Sequence, residues 1–201
     1  DTICHEHLEY YSLSTLKFLM EKNGLKIINV FKNSINGGSI KCYVTHKENI
    51  KYDKKDNLLK INKLLQIEKK IKIGTTAPYK KFYKNVLKIK NVLNKLILSL
   101  KKQKKSIFIL GASTKGNVII QFCKLNKEMI PYAAERNPEK FGRYTPGSLI
   151  PIISESRSRA LKPDFFLVMP WHFKKEIVLR EKLFLNKGGK LVFPLPVLPI
   201  I

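Results

Sequence analysis

Ile107-Phe108-Ile109-Leu110-Gly111-Ala112-Ser113-Thr114-Lys115-Gly116-Asn117 is the stretch that decides how this chain folds. An apolar run ends in a glycine, small and polar residues follow, and a helical pattern opens at Val118. This reads as a strand, a tight turn and a helix whose first N–H groups lack intrahelical partners and face the turn. The helix dipole is positive at that end, so such a turn binds anions. Gly111-x-Ser113-x-x-Gly116 matches the dinucleotide fingerprint with serine replacing the middle glycine. Lys115 adds a charge to this nest, and Ser113 and Thr114 add hydroxyl donors. A P-loop is excluded, because the lysine precedes the second glycine and no Ser or Thr follows it to hold magnesium.

Working outward, strands and helices alternate. The pattern predicts strand 107–110, helix 118–126, strand 130–134, a loop through 143–147, a short apolar segment 150–153 and strand 165–169. Helix 173–185, a turn at 186–189 and strand 190–193 follow. This alternation predicts an α/β domain, a Rossmann-like parallel sheet with helices on its faces. Right-handed crossovers put the C-terminal strand ends on one edge, where open α/β sheets hold ligands. Four groups fall on that edge. They are Gly111–Asn117; Glu135 with Arg136-Asn137-Pro138; the loop Gly142-Arg143-Tyr144-Thr145-Pro146-Gly147; and Pro170-Trp171-His172-Phe173. Glu135 stands 24 positions after Gly111, near where a nucleotide-binding fold keeps an acid for ribose hydroxyls. Trp171 is placed to cover a base or sugar, with core packing as the alternative, and His172 to donate a hydrogen bond. Together the four suggest a nucleotide or nucleotide-sugar site.

Toward the N-terminus, Leu13, Leu16, Leu19 and Met20 share a helical face, with Ser12 as N-cap and Asn23-Gly24 as the stop. Leu25–Phe31 and the alternating Ile40–Thr45 read as strands joined through a Gly37-Gly38 loop. This helix-strand-strand unit looks like the end of a larger sheet domain. Residues 48–105 form a Lys-rich helical connection with helices at Leu58–Ile73 and Phe82–Leu100, broken at Gly74–Pro78. The domain expectation is therefore 1–47, 48–105 and 106–201.

The net charge is +24, with eighteen lysines against three acids in residues 51–105. Arginine, the residue of bidentate base and phosphate contacts, occurs only five times. The charge therefore reads as a solvated lysine face and no nucleic-acid partner is expected. No apolar run approaches the roughly 20 residues that span a bilayer, so no membrane partner is expected. Three widely spaced cysteines without a C-x-x-C pair indicate neither a disulfide framework nor a zinc site, and fit a reducing cytoplasm. The chain starts Asp1-Thr2-Ile3 without methionine, which suggests a fragment.

His5-Glu6-His7 lies outside the alternating domain. Two histidines at i and i+2 can bind a metal, though further ligands are not nearby. A histidine beside a carboxylate also suits general-base work, since imidazole titrates near neutral pH. Surface or capping histidines before the helix are the third reading, and the residues alone leave all three open.

The ordered motifs resemble the sugar C-methyltransferases. The N-terminal blocks are His5-Glu6-His7-Leu8, Tyr10-Tyr11-Ser12, Asn23-Gly24-Leu25 and Asn36-Gly37-Gly38-Ser39 with Tyr43-Val44. The later ones are Gly111–Asn117, Glu135–Pro138, Gly142–Gly147, Lys162-Pro163-Asp164, Pro170–Phe173 and Gly188-Gly189-Lys190. The resemblance implies enzymes that use S-adenosylmethionine to methylate nucleotide-linked 4-keto deoxysugars. It implies that 1–47 closes a class I methyltransferase domain and that 106–201 helps hold the sugar nucleotide. The adenosylmethionine loop and a zinc-binding part are then expected upstream. His7 is implied as the base that removes the C3 proton, Glu6 as its positioner, and His5 or a backbone donor as the group that steadies the enolate oxygen. Cys4 stands where the family commonly has tyrosine, three positions before the base. The rival readings are a non-catalytic nucleotide-binding module and an NAD(P)-binding domain.

Overall fold

The computed structural model describes residues 6–35, 38–195 and 200–201, and its contacts divide into two compact units, His7–Lys84 and Asn85–Ile201, Glu6 being grouped with the latter. In the first, α1 (Leu13–Lys22) starts where Ser12 Oγ accepts the Thr15 N–H and stops at Asn23, before Gly24 at φ +69°. A positive φ suits glycine, which has no Cβ to clash. Strands β1 (Leu25–Asn33) and β2 (Ser39–His46) pair antiparallel with a register shift between Ile27 and Asn29. Helix α2 (Lys55–Lys70) lays Ile61 and Leu64 against Leu13, Ile27 and Val30. The first helix of the Lys-rich stretch thus shares a core with the helix-strand-strand unit.

The second long helix, α3 (Thr76–Lys102), starts six residues before the expected Phe82. Its apolar stripe is buried only toward the C-terminus, where Leu93, Ile97 and Leu100 enter the core of the second unit. Phe82 remains 54% exposed.

That core belongs to a five-stranded parallel sheet of order β5-β4-β3-β6-β7. The strands are β3 (Ile107–Leu110), β4 (Ala133–Glu135), β5 (Ile152–Ser154), β6 (Phe165–Val168) and β7 (Lys190–Val192). Side-chain alternation on β3 and β6 sorts the two faces. Ile107, Ile109, Phe165 and Leu167 face α3 and α4 (Thr114–Phe122), whereas Phe108, Leu110, Phe166 and Val168 face Ile177 of α6 (Lys174–Arg180). Both faces are covered, which explains the continuous apolar run in β3. The α/β, Rossmann-like expectation is met.

Three local readings shift. Helix α4 begins at Thr114 and not Val118, because Ser113 accepts the Gly116 N–H and caps it. Thr114–Asn117 are thus helical. A helix unseen in the sequence pattern, α5 (Glu155–Ala160), follows β5 and is capped by Ser154. The predicted helix 173–185 divides into a 3-10 turn (Trp171–Phe173), α6 and α7 (Lys182–Asn186). Among the described residues no helix is long and apolar enough to cross a membrane.

Candidate functional site

Chain order and sheet order reverse between β3 and β6: from β3 the chain steps to β4 and β5, then returns to β6 on the other side. Such a switch point opens a crevice at the C-terminal strand ends. A cleft of about 500 Å³ lies there. That is within the range of small-molecule sites, roughly 300–1,000 Å³. Its lining joins Gly111, Ser113, Glu135, Arg136 and Lys140, from the loops after β3 and β4, to Glu155 at the start of α5 and Pro170, Phe173, Glu176 and Arg180 from the segment after β6.

The turn after β3 fits its neighbours tightly. Gly111 has φ +90°, and a Cβ there would sit 2.7 Å from Pro170 Cδ. A Cβ on Gly116 would sit 2.8 Å from Met169 Cβ. These glycines let the turn and α4 close onto the end of β6, which accounts for the fingerprint spacing by packing.

Glu135 holds the turn from the other side. Its carboxylate accepts the N–H groups of Ala112 (3.0 Å), Arg136 (2.7 Å) and Asn137 (3.1 Å). Lys140 Nζ lies 3.5 Å from the same carboxylate and donates to the Ala112 carbonyl at 3.0 Å. Burial pushes the Glu135 carboxyl up, but the Asn137 and Arg136 N–H groups, the Lys140 charge and the Ala112 N–H outweigh it. The group is held below the usual carboxylate range.

The remaining sequence candidates are distributed around this core. Thr114 and Lys115 occupy the first turn of α4, off the cleft lining. Asn117, in the next turn, has a buried Oδ1 without a hydrogen-bond partner. Asn137 caps the short 3-10 turn Pro138–Lys140. Arg143 and Tyr144 are exposed and outside the cleft lining. Their loop is anchored by buried Thr145 and by Gln121 Nε2 on the Pro146 carbonyl. Trp171 is partly buried against both core clusters and stacks on His172 at a 3.6 Å centroid distance. Burial, then the nearby Lys115 charge, lowers the His172 pKa below the usual imidazole value.

In the other unit His7 is exposed in the segment before α1, with its ring edge-on to Tyr10 at 6.3 Å. Glu6 is likewise exposed. His5 and Cys4 lie outside the described residues. Among the described residues no cluster of three His, Cys, Asp or Glu side chains could hold a metal ion.

Sequence reasoning missed Lys140, Glu155, Glu176 and Arg180, and named Phe173 only as the last residue of the Pro170–Phe173 group. A signal existed for two of the four: 176 and 180 stand at i+3 and i+7 from 173, a helical spacing.

The family model of the C-methyltransferase C-terminal domain matches residues 34–196, which is most of the chain. The chain belongs to this C-methyltransferase family. It is also 29% identical over 198 residues to the C-methyltransferase NovU of Streptomyces niveus, covering 98% of this chain and 46% of that protein. The chain therefore spans about half the length of that relative. The match crosses both compact units, so the family assignment rests on the hairpin loop and Lys-rich helices as well as the parallel sheet.

Proposed function

We propose that this chain is part of an S-adenosylmethionine-dependent enzyme that methylates C3 of a nucleotide-linked 4-keto deoxysugar. In this reading the switch-point cleft holds the nucleotide. The cleft is the observation that carries it: a cavity of about 500 Å³ at the C-terminal strand ends, lined by Arg136 and Arg180. Paired guanidinium groups suit a diphosphate.

In this reading the nucleotide occupies the cleft, and Glu135, the acid that a cofactor ribose needs after the second strand, is committed to three backbone N–H groups. The methyl donor is therefore assigned to a site outside this cleft.

The C3–H of a 4-keto sugar is acidified by the adjacent carbonyl. His7 takes this proton on its imidazole, Glu6 orients the ring, and the C–H electron pair moves into the enolate. His5 or a backbone N–H steadies the enolate oxygen. The enolate carbon is then the nucleophile for the methyl group. C3 hydrogen exchange with deuterium oxide tests the base role in the full-length enzyme. His7→Ala is expected to abolish exchange while nucleotide binding persists, and exchange at the wild-type rate would sink the assignment.

A further inference from the structure

Of the residues that pointed to a nucleotide site, Glu135 on the β3–β4 side is engaged by backbone N–H groups, and Trp171, in the turn after β6, is partly buried against the core. The cleft lining after β6 carries an exposed aromatic ring, a carboxylate and a guanidinium at helical spacing: Phe173, Glu176 and Arg180. Buried Ile177 shares this spacing and roots the helix in the sheet. Phe173 is 56% exposed and lines the cleft. Among the described residues the Glu176 carboxylate has no ion pair. Arg180 is held in place: its Nη2 donates to Glu155 Oε1 and its Nε to Glu181 Oε1, each at 3.0 Å. From the loop after β4 Arg136 contributes a guanidinium that has no ion pair among the described residues.

We propose that the α6 wall recognises the nucleoside end of a bound nucleoside diphosphate. Phe173 stacks on the base, Glu176 accepts the ribose hydroxyls, and Arg180 and Arg136 bracket the diphosphate. The inference rests on the nucleotide reading of the cleft and moves the selective contacts from Glu135 and Trp171 to α6. An aromatic face is suited to a base because every base has a π-face. A carboxylate accepts from a diol through two oxygens. A guanidinium oriented by carboxylates meets phosphate oxygens with little further ordering. Glu135, with Lys140, then serves as a positioning residue that fixes the turn and the main chain of Arg136.

The test is calorimetric titration of the full chain with UDP, dTDP and inorganic pyrophosphate, using whichever nucleotide binds the wild type more tightly. Phe173→Ala and Glu176→Gln are each expected to weaken nucleotide binding about tenfold, in line with one lost stacking or charged hydrogen-bond contact, and to leave pyrophosphate unchanged. Arg180→Lys is expected to weaken both ligands. Leu179→Ala, at an exposed position of α6 outside the cleft lining, is expected to change neither. A wild type that binds nucleotide, with Phe173→Ala and Glu176→Gln binding equally well, would overturn the α6 assignment and leave the nucleotide site standing. A wild type that binds neither nucleotide nor pyrophosphate would overturn the site itself, and this inference with it.

Discussion

Glu135, at the end of β4, accepts the Ala112 N–H at 3.0 Å and so ties the second strand of the sheet to the turn that leaves the first. The same carboxylate accepts two N–H groups of its own loop, and Lys140 closes the ring by donating back to the Ala112 carbonyl. An acid placed where ribose acids stand is thereby a brace between two loops. Charge-assisted bonds to backbone N–H are among the stronger ones available to a carboxylate. Here they hold the main chain of Ala112 and Arg136, next to Ser113 in the cleft lining.

Glu135→Gln removes the charge and points amide hydrogens at backbone donors. The expected loss is about 1–3 kcal/mol of stability, read by urea unfolding at pH 7. The native carboxyl is held below its usual value, so its contribution is full above the unfolded pKa, about 4.3, and fades as pH falls through the native pKa. The depressed His172 pKa acts in the same direction, because the unfolded imidazole binds the proton more readily. Wild-type stability is therefore expected to decline on acidification through both windows. In Glu135→Gln the step below about pH 4 should shrink.

Gly116→Ala puts a methyl group 2.8 Å from Met169 Cβ, at the point where α4 meets the end of β6. The expected cost is about 1–3 kcal/mol from overpacking. It should be measurable as a lower melting temperature and weaker nucleotide binding, since Ser113 caps through the Gly116 N–H. Equal stability would mean that the glycine is not required for this approach.

The sheet was legible because strands buried on both faces leave apolar runs, as in 107–110 and 165–168, separated by turn residues. The start of α4 was not, since small residues that cap a helix also make a turn. Only the Ser113–Gly116 bond separates the two. The motif residues of the cleft were visible by spacing, but what each does depends on partners distant in sequence. Glu135 answers to Ala112, 23 positions earlier, and Arg180 to Glu155, 25 positions earlier. Fingerprint spacing reports a strand-turn-helix geometry, and that geometry is common to glycines needed for packing and glycines needed for a ligand.

Glu181 is 1% exposed and bonds both Arg159 and Arg180, while Glu155 bonds the outer nitrogens of the same two arginines. Removing a buried charge strands its partners. Glu181→Gln is expected to cost about 2–4 kcal/mol, less than a fully buried pair because each arginine is about a third exposed. Denaturant unfolding measures the loss. Pyrophosphate affinity should fall as well if Arg180 needs this bracket for its orientation, whereas Arg159→Lys should lower stability with little change in affinity.

Glu68 of α2 presents both carboxylate oxygens to the start of α1, accepting the Leu13 N–H at 2.6 Å and the Ser14 N–H at 2.8 Å. The carboxylate satisfies two donors that the helix cannot, and its charge complements the positive end of the dipole. Ser12 caps a third N–H, that of Thr15. The first residues of α1 are thus fixed from two directions, directly after the segment that carries Glu6 and His7. Glu68→Gln keeps one acceptor and loses the charge, so a loss of about 1–2 kcal/mol is expected. Glu68→Ala leaves the buried Leu13 N–H and the part-buried Ser14 N–H without this partner and should cost more. If this cap also sets the exit of the histidine segment, C3 hydrogen exchange in the full-length enzyme should fall in Glu68→Ala. It should recover in part in Glu68→Gln, with nucleotide affinity unchanged in both. A drop in stability with exchange at the wild-type rate would confine Glu68 to holding α1 against α2.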